Sequence, residues 1–241
     1  MKCRLCLEEK KLIKAHIIPD FMHRGLFDEK HQLHKVQLAF DKMPSKKMST
    51  GEYDTAILCA ECDNKISEYE SYFSKVIYGG SLLGMKKFKD KDGLIFTEIV
   101  NLDYTKTRLF FLSLLWRASI TTRPTYSDVK LSQMLEVKIR DMFLNENPGE
   151  PFELACTVTT ILDHSSIEHG MIAPPRRNID NTEIVFMIQG FFYRFYLTNN
   201  IPEKVKPHIL DKKGKIDILH YPEVIAKKLV NEFLGIELFK L

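Results

Sequence analysis

Four cysteines in two CxxC pairs are the first residues whose spacing implies chemistry: Cys3 and Cys6 in "CRLC", Cys59 and Cys62 in "CAEC". A CxxC turn presents two thiolates from one tight bend, and two such turns supply the four ligands of a tetrahedral zinc ion. Zinc held by four thiolates has no open position, so the metal expected here is structural. The long interval between Cys6 and Cys59 must be taken up by an inserted hairpin or loop, and a metal tying its ends offsets the loop-closure entropy. His16, in "AHIIP", lies inside that interval. A histidine is a side chain suited to proton transfer, or it is simply packed at a strand end. Asp63 follows Cys62 at once, in what reads as the first turn of a helix, where the dipole favours an acid.

The elements that must position these residues can be read from periodicity. Ile66, Tyr69, Phe73, Val76 and Ile77 recur at helical spacing, so 63–78 reads as a helix ended by Gly79-Gly80. Glu70 lies two turns beyond Asp63 and can share its face. "GLIFTEIV" (93–100) reads as a strand. "TKTRLFFLSLLWRASI" (105–120) is apolar nearly all round and reads as a buried helix carrying Trp116. "KLSQMLEVKIRDMF" (130–143) reads as an amphipathic helix. "FELACTVTTIL" (152–162) alternates like a half-buried strand, with Cys156 an inert thiol on its apolar face. "EIVFMIQGFFYRFYL" (183–197) reads as two strands about Gly190, or one strand bulged there. "YPEVIAKKLVNEFLG" (221–235) reads as a helix with Pro222 near its start and Gly235 at its end. The fold class expected is α+β: a zinc-stapled module over 1–80, then an α+β domain over 81–241.

Composition sets outer bounds. The chain has 241 residues, 44% hydrophobic and 28% charged, with a net charge of +3. That supports a substantial core and is too mild a charge to mark a nucleic-acid binder alone. No apolar run reaches membrane-spanning length, and the N-terminus lacks the apolar core of a secretory signal. A cytoplasmic setting is expected, where paired cysteines favour metal over disulfides. Charge is clustered: lysines, among them Lys42, Lys46 and Lys47, precede an acidic stretch from Glu52 to Glu70. The lysine-rich segment can bind phosphates or be a solvated face. Arg117, Arg123, Arg176 and Arg177 can line a second such surface or be solvated. His23, His31 and His34 are further ligand candidates, His23 being nearest to His16 in sequence, and Asp20 reads as a turn residue.

Taken together, "CRLC", "AHIIP" and "ILCAECDNK" resemble the zinc-bearing HNH, or ββα-metal, nucleases over roughly residues 1–75. "FFLSLLWRAS" is similar to a segment of uncharacterised bacterial proteins with such an N-terminus. The resemblance implies a treble-clef ββα fold in which His16 is the general base activating a water. It implies one divalent cation, Mg²⁺ or Mn²⁺, at the scissile phosphate, with Asp63 in the ligand position. Two departures stand out. The acid often found before the histidine is Ala15, which leaves Glu70 as the candidate second ligand. The middle Asn of the motif is missing, and Asp54 is the nearest residue to orient the imidazole.

The function implied is a metal-dependent endonuclease cleaving DNA, with antiviral defence as a plausible setting and the C-terminal domain gripping substrate, a protein partner or a second copy. The rival is a catalytically inactive zinc module that binds nucleic acid or a partner protein. A third reading puts the activity after residue 80, where no nucleophile triad or phosphate loop is found.

Overall fold

Four short strands, a 3₁₀ turn and a helix follow the first CxxC turn. In the computed structural model, which describes residues 1–36, 45–79, 83–91, 93–161 and 171–235, β1 (Ala15–His16) precedes a 3₁₀ turn at Asp20–Leu26. A hairpin of β2 (Leu33–Val36) and β3 (Ser45–Met48) comes next, so the interval between the cysteine pairs does hold an inserted hairpin. β4 (Tyr53–Asp54) then returns antiparallel to β1, with Ala15 opposite Asp54 and His16 opposite Tyr53. Helix α1 (Ala60–Ile77) starts three residues before the expected 63 and buries Ile66, Tyr69, Phe73 and Val76, whereas Ile77 is exposed.

The all-round apolar segment becomes α2 (Tyr104–Ile120), capped by the Asp103 carboxylate accepting from the Lys106 N–H at 2.9 Å. It has no solvent face because it lies between α1, α3 (Gln133–Leu144) and the sheet. Phe73 of α1 stacks on Phe110 at 4.1 Å, Trp116 meets Phe143 of α3 at 5.6 Å, and Phe111 meets Tyr193 of the sheet at 6.1 Å. Each such burial stabilises by roughly 1.5–3 kcal/mol relative to exposure. Two arginines interrupt the apolar surface. Arg108 and Arg117 lie nine positions apart, and at about 100° per residue they point to opposite sides of the helix. Arg108 is buried and donates to the carbonyls of Pro148, Glu150, Glu153 and Leu154, which ties down the connection after α3. Arg117 reaches the other way, towards β1.

Seven strands form the main sheet: β5 (Gly84–Lys89), β6 (Ile95–Val100), β7 (Cys156–Ile161), β8 (Ile172–Arg177), β9 (Glu183–Ile188), β10 (Phe191–Tyr196) and β11 (Ile216–Tyr221). Their order is β5-β6-β11-β7-β10-β9-β8, antiparallel except for the parallel pair β11–β7. Period-two alternation sorts the side chains. Ile184, Phe186 and Ile188 face the α2 core, while Val185 and Met187 face Val230 of α4 (Glu223–Leu234) on the other side.

The structure corrects one strand reading, decides another and adds a strand the pattern did not single out. β7 is buried along its whole length, because it is internal to the sheet and covered on both faces, so the half-buried reading is corrected; Phe152 is exposed before it. Of the two readings of 183–197, the two-strand one is observed, with Gln189 and Gly190 both at positive φ in a two-residue hairpin turn. β11, which lacks an extended apolar run, sits in the middle of the sheet. The core is also continuous across the boundary expected near 80: residues of α1 and of the first cysteine pair belong to the same hydrophobic cluster as α2 and the sheet. No described helix is long and apolar enough to cross a membrane.

Candidate functional site

The first cysteine turn is brought to the second by main-chain pairing. Arg4 donates its N–H to the Ile57 carbonyl at 2.8 Å, Ile13 donates to Leu58 at 3.0 Å, and Leu12 bridges to Cys59. Cys59 caps α1 and Cys62 lies in its first turn. The four sulfurs consequently lie within 4.8 Å of one another, and none is in a disulfide. Cys6 and Cys59 Sγ are 4.0 Å apart, against about 3.8 Å for a tetrahedron with zinc–sulfur bonds near 2.3 Å. Burial raises the Cys3 thiol, but N–H groups of Cys59, Cys6 and Leu5 outweigh it and hold the thiol down at about 7. Burial pushes Cys62 up, and the neighbouring sulfurs add to that. A cation among them removes this repulsion, so the donor set fits a metal ion such as zinc.

His16 ends β1, with its imidazole Nε2 2.7 Å from the Thr50 hydroxyl and its ring edge-on to Tyr53 at 6.4 Å. Thr50 is therefore the group that fixes the ring, and nothing in the sequence pattern singles it out. Asp54 does not orient the imidazole, contrary to expectation. Asp54 is opposite Ala15, and cross-strand partners share a face, so its side chain leaves β4 on the side away from His16 and Tyr53. Its carboxylate is 1% exposed and accepts from Thr121 Oγ1 (2.6 Å), Thr122 N–H (2.7 Å), Thr122 Oγ1 (2.9 Å) and Ala56 N–H (2.8 Å). Burial works against ionisation there, but these donors prevail and hold Asp54 at about 2. Its role is to join β4 to the segment after α2.

This has a pH consequence. The folded pKa of Asp54 lies below its unfolded value of 3.8, so the stability it adds is fully present above about pH 4 and is lost as pH falls towards 2. Lowering it from 3.8 to about 2 corresponds to about 2 kcal/mol. Asp54→Asn is expected to lose about that much at pH 7 and to flatten the acid limb of stability between pH 4 and 2, measured by urea unfolding. An unchanged acid limb would contradict the assignment.

Asp63 stands in the first turn of α1 as expected, half-buried, and among the described residues its carboxylate has no hydrogen-bond donor. Burial raises its pKa and Glu70 adds to that, while Arg117 and His16 pull it down, so these four groups share one electrostatic neighbourhood. Glu70 is committed elsewhere: Oε1 lies 2.5 Å from Arg117 Nη2 and makes no well-angled hydrogen bond, so charge holds it there. Arg117 is buried and also donates to the main-chain carbonyl of His16 at 2.7 Å and to that of Ser113 at 3.3 Å. It is thus a central cation of the site, supplied by α2, beyond the boundary expected near 80, where its sequence setting suggested a solvated or nucleic-acid surface. The signal available was a charged residue inside an all-apolar helix, which demands a buried partner.

The other candidates are placed as follows. His23 is buried against Gly51, where an added Cβ would come within 2.4 Å of Cε1, and its Nδ1 faces the Pro19 carbonyl at 3.1 Å. Burial lowers its pKa. His31 stacks on Phe27 and His34 pairs with Asp28, so both are used locally. Lys46 and Lys47 are exposed on β3, while Lys42 lies outside the described residues. Arg176 pairs with Asp128 and Arg177 donates to the Asp128 carbonyl, leaving Arg123 as the surface arginine beside His16's strand partner. Cys156 is buried in the core, which raises its thiol pKa. Among the described residues, only the four cysteines gather three or more metal-capable donors this closely. Comparison with family models, with curated proteins and with solved structures finds no match to the chain.

Proposed function

We propose that the chain is an HNH-type endonuclease that hydrolyses DNA phosphodiesters with a divalent cation, Mg²⁺ or Mn²⁺, and that its four thiolates hold a structural zinc. The observation that carries the reading is one arrangement: an imidazole held at the end of β1 in the same electrostatic neighbourhood as a half-buried carboxylate, Asp63, that no donor among the described residues engages. With Nε2 held by Thr50, Nδ1 of His16 is the nitrogen left to take the proton of an attacking water. Asp63 is the residue that would hold the cation through oxygen. Bound there, the cation would supply charge for the developing oxyanion. Arg117 holds the His16 main chain and draws Glu70 aside, so Glu70 braces the site and is not the second ligand. Defence against foreign DNA is the biological setting that the HNH likeness suggests.

The test is plasmid cleavage with Mg²⁺ or Mn²⁺. His16→Ala is expected to cut at least about 100-fold more slowly, with unchanged melting. Equal cleavage by the variant would sink the mechanism. The inactive zinc module remains the second reading, favoured by the commitment of both Asp54 and Glu70 to structural partners. Failure to cleave DNA or RNA while still binding it would favour that reading.

A further inference from the structure

Beside His16 the surface carries two cations with no carboxylate partner among the described residues. Lys14 Nζ lies 5.2 Å from the centre of the Tyr53 ring and the Arg123 guanidinium 5.9 Å from it. Tyr53 is the cross-strand partner of His16 and shares its face. Arg123 is aimed by its Nε–H, which donates to the Tyr53 carbonyl at 2.8 Å, so its two terminal amino groups remain uncommitted among the described residues. Asp54, close in sequence, points to the other face of β4, where threonines engage it. An aromatic ring flanked by two cations, on the strand pair that carries the imidazole, is complementary to a polyanion passing over His16.

We infer that Lys14, Tyr53 and Arg123 form a phosphate-binding platform that holds the backbone of a nucleic acid across His16. The platform joins both halves of the chain, with Lys14 and Tyr53 from the first and Arg123 from the segment after α2. It rests on the nuclease reading for the identity of the polyanion, but its geometry is independent of any cation ligand. Its contribution is electrostatic and blind to base sequence, so it appears in the salt dependence of binding.

The experiment measures binding of a fluorescent duplex and of its single strand by the metal-loaded protein, with no Mg²⁺ or Mn²⁺ added, from 50 to 300 mM salt. Lys14→Gln and Arg123→Gln are each expected to lower the slope of log K against log salt by about 0.9 on the duplex, with unchanged melting curves. Arg123→Lys keeps the charge but gives up the Nε–H bond. It retains the wild-type slope if Arg123 neutralises a phosphate. If it loses slope as Arg123→Gln does, while still folded, the residue merely braces β4 and the proposal falls. Unchanged slopes in both glutamine variants, or no binding of either probe at 50 mM salt, also overturn it. Because leaving out Mg²⁺ and Mn²⁺ prevents cation-dependent cleavage, the two readings fail separately. Binding with the expected slopes but no cleavage leaves the platform standing and removes the nuclease. Cleavage with unchanged slopes does the reverse.

Discussion

Cys62→Ser is expected to abolish metal binding and to lower the melting temperature of the whole chain by about 10 °C or more. The four sulfurs converge only because the turn at Cys3–Cys6 pairs with residues 57–59 and with the start of α1. Without a cation the convergence is unfavourable, since Cys62 is pushed up by burial and by neighbouring sulfur. Structural zinc in small domains contributes on the order of 10 kcal/mol, and losing even half of that corresponds to at least about 10 °C in a chain this long. The loss should not stay local. α1 carries Phe73 into the stack with Phe110, and the first cysteine turn shares its core with α2. One cooperative transition at lower temperature is therefore expected, followed by circular dichroism together with metal analysis of the purified protein. Wild-type protein that contains no metal and melts like Cys62→Ser would refute the assignment.

The second large effect is at Arg117. Arg117→Met leaves the Glu70 carboxylate without its counter-charge, the His16 carbonyl without its donor, and Asp63 without the main group that favours its ionised form. Breaking one side of a buried ion pair costs about 3–5 kcal/mol, most of it the penalty on the charge left behind. Arg117→Met is thus expected to destabilise by that amount in urea unfolding. Arg117→Met combined with Glu70→Gln should recover at least about 1 kcal/mol relative to the sum of the single effects, because both partners of the pair are then removed. Strict additivity would show that the pair is not energetically coupled. Under the nuclease reading, the single variant also slows cleavage, since Arg117 fixes the main chain from which the His16 imidazole projects.

Much of the architecture was legible because it rests on local periodicity. The helical recurrence of Ile66, Tyr69, Phe73 and Val76 and the unbroken apolar surface of 105–120 identify α1 and α2, and the two CxxC spacings identify the ligand set. Asp63 could be placed in the first turn of α1 for the same reason. Gln189-Gly190 turned an ambiguous apolar run into a hairpin, because only a turn requires two consecutive positive φ values there.

What the tertiary structure alone decided depends on contacts between residues far apart in sequence. Asp54 read as the partner of His16 from its place along the chain, but the two-residue alternation of a strand sends it to the opposite face, into the hydroxyls of Thr121 and Thr122. Thr50 took its role because the hairpin between β1 and β4 returns it to the imidazole. Arg117 reached His16 and Glu70 because a helix buried on every side must bring each of its charges to some partner, and which partner is set by packing. The sequence by itself determined the elements and the four-cysteine donor set, which follow from local spacing. The surroundings of the candidate histidine were decided by how α2 docks against the segment that carries the cysteines, a choice governed by long-range burial that no local pattern encodes.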